Sequence, residues 1–167
     1  MPNQLENQAL DAIDRRILKE LQANARLSNV ELAEHAGLSP SPCLRRVRRL
    51  EDAGVIRGYA TLVDQHALGL PVSIFIMVTL EKQVEQALEV FETAIRDLPE
   101  VMECYLMTGD SDYLLRVVTR DLADYERFLM AHLTRFPGVA SIKSSFALKQ
   151  VVYRTALPVD DEARTAS

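Results

Sequence analysis

The sequence is poor in the residues that define several protein classes. Among its 167 residues there are two cysteines, six glycines and seven prolines. Cys43 and Cys104 stand far apart and without a CxxC spacing, which argues against a disulfide framework or a zinc finger and predicts a reducing compartment. Few glycines and prolines, with 48% hydrophobic and 26% charged residues, argue against disorder and low-complexity repeats.

Long hydrophobic segments are also missing. The longest apolar stretch, around Ile74–Leu80, is too short to span a bilayer. The N-terminus lacks the basic-then-apolar pattern of a secretion signal. These absences predict a cytoplasmic protein with no membrane partner.

Positive charge is concentrated in one part of an otherwise acidic chain. The net charge of the whole chain is −5. Residues 39–58 hold five arginines against two acids, whereas residues 59–167 hold 10 basic and 16 acidic side chains. A local basic patch on an acidic protein suits a nucleic-acid contact confined to one element.

Two helices are predicted near the N-terminus. Apolar residues recur at helical spacing within residues 10–25. Ser28 can cap a second, short helix because Glu31, three residues later, completes a capping box. Gly37 is the expected left-handed end of that helix.

A third helix follows directly. Ser39 is its predicted cap, Gly54 its predicted end, and its inward residues are expected to be Leu44, Val47 and Leu50. The tight turn before it is typical of a helix-turn-helix. Val55–Val63 is expected to be extended, as a small wing that leads into a linker strand.

The rest of the chain predicts a second unit with the order βαββαβ. The predicted strands are Val72–Leu80, Val101–Thr108, Tyr113–Thr119 and Ser141–Val152. Two helices with apolar stripes are predicted over Val84–Leu98 and Asp121–Phe136, the second with Leu122 directed inward. This order is that of a ferredoxin-like split sandwich.

The predicted fold class is therefore α/β (α+β), with an N-terminal winged helix-turn-helix and a C-terminal ferredoxin-like βαββαβ sandwich. The expected boundaries are 1–58 for the DNA-binding domain, 59–70 for a linker strand, 71–155 for the second domain and 156–167 for a tail. Residues 1–8 and 158–167 are expected to be disordered.

The first predicted strand suggests self-association. Val72–Leu80 is apolar at nearly every position, which is typical of a strand covered on both faces. The face not covered by helices is expected to pack against another copy of the chain. The alternative is a strand that only happens to lack polar residues.

The third helix carries four arginines opposite its predicted apolar face: Arg45, Arg46, Arg48 and Arg49. Guanidinium groups bind phosphate and guanine edges with two hydrogen bonds. The helix N-terminus, with Ser39 and Ser41, can also approach a phosphate. The alternative is a solvated face balanced by nearby acids. The predicted DNA-contacting residues are Ser28, Asn29, Ser39, Ser41, Pro42, Arg45, Arg46, Arg48 and Arg49.

The turn Thr108–Asp112 is a candidate binding site for a free amino acid. Its backbone N–H groups could receive a carboxylate, and Asp110 or Asp112 could pair with an ammonium group. Gly109 is expected to need a positive φ or close ligand approach. The alternative is an ordinary Gly-Asp turn whose aspartates bond their own backbone.

Catalysis finds little support in the sequence. His35, His66 and His132 are scattered, and no nucleotide-binding, nucleophile or metal-spaced motif occurs. Cys43 lies at the start of the third helix, where a thiol pKa can fall, but a small packing residue is the favoured interpretation. We therefore predict no catalytic residue, cofactor or metal site.

Several motifs together resemble the leucine-responsive regulatory protein/AsnC (feast/famine) family. They are Asp14–Leu18 (DRRIL), Leu38–Glu51, Gly54–Ile56, Glu103–Leu106, Thr108–Leu115 and Phe136–Val139. They occur in both predicted domains and in the expected order. The resemblance covers about residues 10–155.

The resemblance implies a transcription regulator that binds double-stranded DNA and senses an amino acid. It also implies homodimers that often assemble into octamers. Carried over by position, the effector pocket would involve Leu106, Thr108, Gly109, Asp110, Asp112, Leu122, Ser145 and Phe146. Three of these are apolar and favour an effector such as leucine or methionine.

Two alternatives remain open. Sirohaem decarboxylases resemble this two-domain architecture, but they need several histidines and arginines around a tetrapyrrole, and this chain has three dispersed histidines. A stand-alone amino-acid-binding module with a vestigial helix-turn-helix is the second alternative. The arginine-rich third helix argues against it.

Overall fold

The computed structural model describes residues 10–159, which divide into two compact units. Residues 10–61 and 152–159 belong to a helical unit, and residues 62–151 form an α/β unit. The disorder predicted for residues 1–8 and for most of 158–167 falls outside the described residues. Within residues 10–159, no helix has both the length and the apolar character needed to cross a membrane.

The helical unit contains three helices. They are α1 (Ala12–Ala23), α2 (Asn29–Ala36) and α3 (Pro40–Asp52). Their core includes the buried side chains of Ile17, Leu32, Cys43 and Leu50. The predicted capping box of Ser28 and Glu31 is confirmed, and Gly37 ends α2 with φ 70°.

Two details of α3 differ from the prediction. Ser39 occupies the cap position, but its side chain makes no capping hydrogen bond. A cap side chain normally accepts from the second or third helical N–H, and Pro42 at the third position has none. Leu44 is 39% exposed, because the inward positions are Cys43, Val47 and Leu50, a spacing of four and three residues.

No β-strand forms between α3 and β1 in the described chain, so the predicted linker strand is absent within one copy. Residues 57–64 have no regular secondary structure, and residues 65–69 form a turn in which the Leu70 N–H donates to the Gln65 carbonyl at 2.9 Å. A strand needs a neighbouring strand to pair with its backbone groups. None of the described residues supplies one here.

The second unit is an antiparallel sheet with helices on one face. Its elements are β1 (Val72–Leu80), α4 (Glu85–Arg96), β2 (Val101–Leu106), β3 (Tyr113–Thr119), α5 (Leu122–Phe128) and β4 (Val139–Phe146). A π-helical turn, Leu129–Leu133, continues α5. The strand order is β2-β3-β1-β4, so the predicted βαββαβ topology is confirmed.

The two faces of the sheet are different. Ile74, Ile76 and Val78 point toward α4 and α5 and are buried. Phe75 and Met77 alternate with them on the opposite face, which we call the open face, and each is 38% exposed. Strand β1 is therefore apolar throughout its buried face and, between Ser73 and Thr79, at the centre of its open face, which the described residues leave partly exposed.

Three predicted details of this unit are wrong. Strand β4 ends at Phe146 instead of Val152, because its partner β1 begins at Val72 and the chain then leaves the sheet. Strand β2 ends at Leu106 instead of Thr108. Leu122 does not face inward; it is 64% exposed at the start of α5.

Candidate nucleic-acid interface and effector site

The exposed side of α3 forms a shallow groove with two free arginine positions. Arg45 and Arg48 lie one helical turn apart, and both are exposed. The groove is lined by Ser41, Leu44, Arg45, Arg48, Arg49 and Asp52. A helix face with paired guanidinium groups and an exposed leucine can contact phosphates and base edges.

The expectation that all four arginines project into solvent is wrong for Arg46 and in part for Arg49. Arg46 Nη1 donates to Asp14 Oδ1 at 2.8 Å and to Asp11 Oδ2 at 2.7 Å. Arg49 Nη2 donates to Asp14 Oδ2 at 2.5 Å. We call these four residues the arginine–aspartate network. It raises the pKa of Arg46, and the Asp14 N–H and the Arg46 guanidinium lower the pKa of Asp11.

The remaining predicted DNA residues lie near the start of α2 or α3. Ser28 and Asn29 begin α2, and the Asn29 amide donates to the Pro40 carbonyl at 2.8 Å, which ties the two helix N-termini together. Ser39 and Ser41 are exposed, whereas Pro42 is half-buried. These side chains thus border the same end of the helix-turn-helix.

The Gly-Asp turn joins β2 to β3 at one end of the sheet. Gly109 has φ 116°, as predicted, and none of the described atoms would contact a Cβ built there. Thr108, Gly109 and Asp110 are exposed. The turn therefore presents backbone N–H groups and one free carboxylate to an approaching molecule.

Asp112 has a different environment from Asp110. It is 6% exposed, and its Oδ2 accepts from the Leu80 N–H at 2.7 Å while its Oδ1 accepts from Gln83 Nε2 at 2.6 Å. Its carboxylate is therefore occupied in fastening the turn to the end of β1. Of the two aspartates of the turn, only Asp110 has an exposed side chain.

The predicted effector residues form two groups in one chain. Leu106 and the Gly-Asp turn lie at the β2 edge, near the Val78 end of β1. Phe146 pairs with Ile74 on the opposite edge strand and toward the other end. Leu106 and Phe146 thus mark two opposite corners of the sheet. With strands about 4.8 Å apart and about 3.3 Å per residue, these two corners are roughly 20 Å apart.

The second corner contains the other predicted effector residues. The Tyr125 and Phe146 rings pack edge to face at 5.2 Å. Leu122 precedes Tyr125 by three residues and lies on the same side of α5. Ser145 and Phe146 point to opposite faces of the sheet, because side chains alternate along a strand.

A cleft between α4 and β2 adjoins the first corner. It encloses about 370 Å³ and is lined by Glu92, Ile95, Arg96, Val101, Met102, Glu103, Cys104, Leu106 and Tyr113. The Tyr113 hydroxyl donates to Glu92 Oε1 at 2.9 Å, and burial together with this carboxylate raises the pKa of Tyr113. The cleft is of small-molecule size and shares Leu106 with the predicted pocket.

The two thiols are not paired. Cys43 is buried, and burial raises the pKa of its thiol, which favours the packing role over a reactive one. Cys104 lies in the cleft, where partial desolvation and Glu92 raise its pKa. Across residues 10–159, no group of histidine, cysteine or acidic side chains is arranged to hold a metal ion.

Comparison with known proteins identifies both domains. Residues 10–57 match the family model "Winged helix-turn-helix DNA-binding", and residues 73–157 match "Lrp/AsnC ligand binding domain". This chain belongs to the Lrp/AsnC family. It is a DNA-binding transcription regulator with an amino-acid-binding domain, and not an enzyme.

Relatives cover nearly the whole chain. The Bkd operon transcriptional regulator of Pseudomonas aeruginosa is 52% identical over 150 residues, which cover 90% of this chain and 98% of that protein. The leucine-responsive regulatory protein of Escherichia coli (strain K12) is 44% identical over 142 residues, covering 85% and 87%. Both relatives support the regulator over the sirohaem-decarboxylase alternative.

A solved structure shows the same fold. A transcriptional regulator from Neisseria meningitidis, crystallised as an L-Met complex, superposes with a TM-score of 0.86. It is 42% identical, and the match covers 91% of this chain and 98% of that one. The fold of an Lrp/AsnC regulator is therefore established for this chain.

Sequence reasoning missed the residues that hold these sites in place. Asp11 and Asp14 precede the arginines by more than 30 residues, and only their spacing as an N-terminal capping box marks them. Gln83 follows β1 without any motif. Both contacts are long-range, so no local pattern indicates them.

We predict that Asp112→Ala destabilises this Lrp/AsnC chain, because the buried Leu80 N–H loses its acceptor. The expected cost is about 1–3 kcal/mol in the free energy of unfolding, measured by urea denaturation. Asp110→Ala, which removes an exposed carboxylate from the same turn, should change that free energy by less than about 0.5 kcal/mol. Equal effects of the two substitutions would contradict the structural role of Asp112.

Proposed function

We propose that the Arg45–Arg48 side of α3 contacts duplex DNA and that a free apolar amino acid at the Gly-Asp turn modulates this binding. The observation that carries the DNA part is the exposed pair of guanidinium groups on the second helix of a helix-turn-helix. Ser28, Asn29, Ser39, Ser41 and Pro42 lie at the helix ends that would approach the phosphates. DNA as the partner favours a cytoplasmic location.

The exposed arginines also bear on the remaining alternative. A stand-alone amino-acid-binding module would not need a groove on α3 with three arginines and one acid. The whole chain has a net charge of −5, so this groove is a local basic surface on an acidic protein. Such a surface suits a polyanion such as DNA.

Exposed apolar side chains support an apolar effector. Leu106 is 60% and Leu122 is 64% exposed, and Phe146 is partly exposed beside Tyr125. The turn would receive the effector carboxylate on its N–H groups, and Asp110 would receive the ammonium group. The L-Met complex of the Neisseria relative supports methionine or leucine as the first candidates.

The two corners bear on how the effector pocket is assembled. A free amino acid is far shorter than the roughly 20 Å between Leu106 and Phe146. One molecule could contact both corners only if they come from different copies of the chain. We therefore place the complete pocket between subunits, with the turn of one copy facing Leu122 and Phe146 of another.

The open face of the sheet is the surface through which we expect two copies of the chain to form a dimer. Met77 lies opposite Leu114, which in turn lies opposite Tyr105, and Phe75 lies opposite Arg116. The only ion pair recorded on this face among the described residues joins Arg116 Nε to Glu103 Oε1 at 3.0 Å. A central apolar strip bordered by polar side chains, among them Lys143 and Ser145 of β4, is suited to packing against its own copy. Dimers formed this way could then associate into an octamer.

Arg45→Ala and Arg48→Ala should each weaken binding to a duplex selected by the wild type from a random pool. On a scrambled duplex, where these arginines would contact phosphates and not specific bases, each should also reduce the slope of log affinity against log salt by about one. Arg127→Ala, which removes the same charge from an exposed position on α5, is the matched control. Wild-type affinity and slope in both α3 variants would refute the proposed interface.

Phe75→Asp should convert the protein to monomers, because a carboxylate on the open face would be buried unpaired in the dimer. The monomer should stay folded, since Phe75 lies outside the core. Ile76→Asp is the contrasting variant and should unfold the second unit, because Ile76 is fully buried. Sedimentation velocity with circular dichroism separates the outcomes. A monomeric wild type at micromolar concentration would contradict this interface.

Asp110→Asn should remove the influence of the effector on DNA binding and leave effector-free binding unchanged. The measurement is a gel shift with the selected duplex, with and without each of the twenty amino acids. Glu89→Gln, an exposed acid on α4, is the control and should respond like the wild type. An Asp110→Asn variant that responds at the wild-type effector concentration would move the ammonium site elsewhere.

A further inference from the structure

The arginine–aspartate network holds a buried negative charge, that of Asp14, against the middle of α3. Asp14 is 1% exposed, although it carries a carboxylate. Burying a charge is costly unless it is paired and hydrogen-bonded. Both of its oxygens are bonded by α3 guanidinium groups, Oδ1 by Arg46 and Oδ2 by Arg49.

The position of the network on α1 adds to its stability. Asp11 caps α1, and its Oδ1 accepts from the Asp14 N–H at 2.8 Å. Both carboxylates therefore lie at the positive end of the helix dipole. Arg46 Nη1 bridges them, so the N-terminus of α1 is joined to the middle of α3.

The four arginines of α3 divide into two pairs by their direction. Arg46 and Arg49 are three residues apart and point toward α1. Arg45 and Arg48 are also three residues apart, but they are rotated by about 100° from the first pair, onto the exposed groove. Arg49 is half-exposed and borders this groove as well.

The network constrains α3 in a way that apolar contact does not. Helix α3 contacts α2 more extensively than α1. Apolar packing is non-directional, whereas charge-assisted hydrogen bonds have a defined geometry. Two such bonds one turn apart on α3 fix both its rotation about its own axis and its position along α1.

We propose that Asp14 is a positioning residue for sequence recognition: it holds Arg46 and Arg49, so that α3 presents Arg45 and Arg48 to the DNA bases at a defined angle. The inference rests on the proposed function of α3. It assigns Arg46 to orienting the helix instead of binding a phosphate. The ligand read through this arrangement is a base-pair sequence in the major groove of a duplex.

The test compares specific with non-specific binding in the full-length protein. Two duplexes are used, one selected by the wild type from a random pool and a scrambled duplex of equal composition. Asp14→Asn removes the charge and keeps the shape, and Arg46→Gln removes the main partner. Both are measured at a temperature where circular dichroism shows each variant folded, with Glu34→Gln, an exposed acid on α2, as the control.

Both variants should lose about tenfold in the ratio of specific to scrambled affinity, because base contacts depend on the angle of α3. The salt slope on the scrambled duplex should stay at the wild-type value, since Arg45 and Arg48 still neutralise phosphates. If Asp14→Asn does not fold, Arg46→Gln decides, because Asp14 keeps Arg49 in that variant.

Two results would overturn the proposal. One is a wild-type specificity ratio in the folded variants. The other is a salt slope lowered by about one in Arg46→Gln, which would make Arg46 a phosphate contact. Arg48→Ala distinguishes an error in this proposal from an error in the proposed function. If α3 does not bind DNA at all, Arg48→Ala also leaves the affinity and the salt slope unchanged.

Discussion

The second unit is organised by strand β1, whose buried face is apolar throughout and whose open face is apolar at its centre. One face, with Ile76 at its centre, packs against the helices and forms the core. The other face carries Phe75 and Met77, and the described chain leaves it open. Burying such a face stabilises a protein by about 25 cal/mol per Å² of apolar surface. The strongest way to gain that energy is to pair two copies, and we infer that assembly and effector binding both depend on it.

The helical unit is constrained instead by repulsion between the arginine side chains of α3. Four arginines in five positions on one helix would repel one another if all of them shared one face. The structure separates them, because Asp11 and Asp14 together neutralise Arg46 and Arg49, while Arg45 and Arg48 remain on the groove. In our account the arginine-rich sequence of α3 has two roles: Arg46 and Arg49 fasten the helix to α1, and Arg45 and Arg48 contact DNA.

Much of the fold was predictable from local patterns. Apolar periodicity, the capping box of α2 and glycine ends identify α1, α2 and α3, and apolar runs identify β1 and β3. Gly109 was predictable as well, because a tight turn between strands demands a positive φ. These features depend on residues within a few positions of one another.

The remaining details depend on contacts between distant parts of the chain. The rotation of α3, which buries Cys43 and exposes Leu44, follows from packing against α1 and α2. Asp112 could not be distinguished from Asp110 by sequence, because its role is decided by Leu80 and Gln83 about 30 residues earlier. The end of β4 at Phe146 is likewise decided by where β1 begins.

The central claim is that one effector pocket needs the corners of two chains, and subunit complementation tests it most directly. One variant would carry Asp110→Asn at the turn, and the other Phe146→Ala at the opposite corner. Each alone should bind no effector by calorimetry. Co-assembled, they should regain a fraction of the wild-type sites, because some pockets then combine the intact turn of one chain with the intact Phe146 of another. No recovery in demonstrated mixed assemblies would contradict the claim and place the whole pocket within one chain.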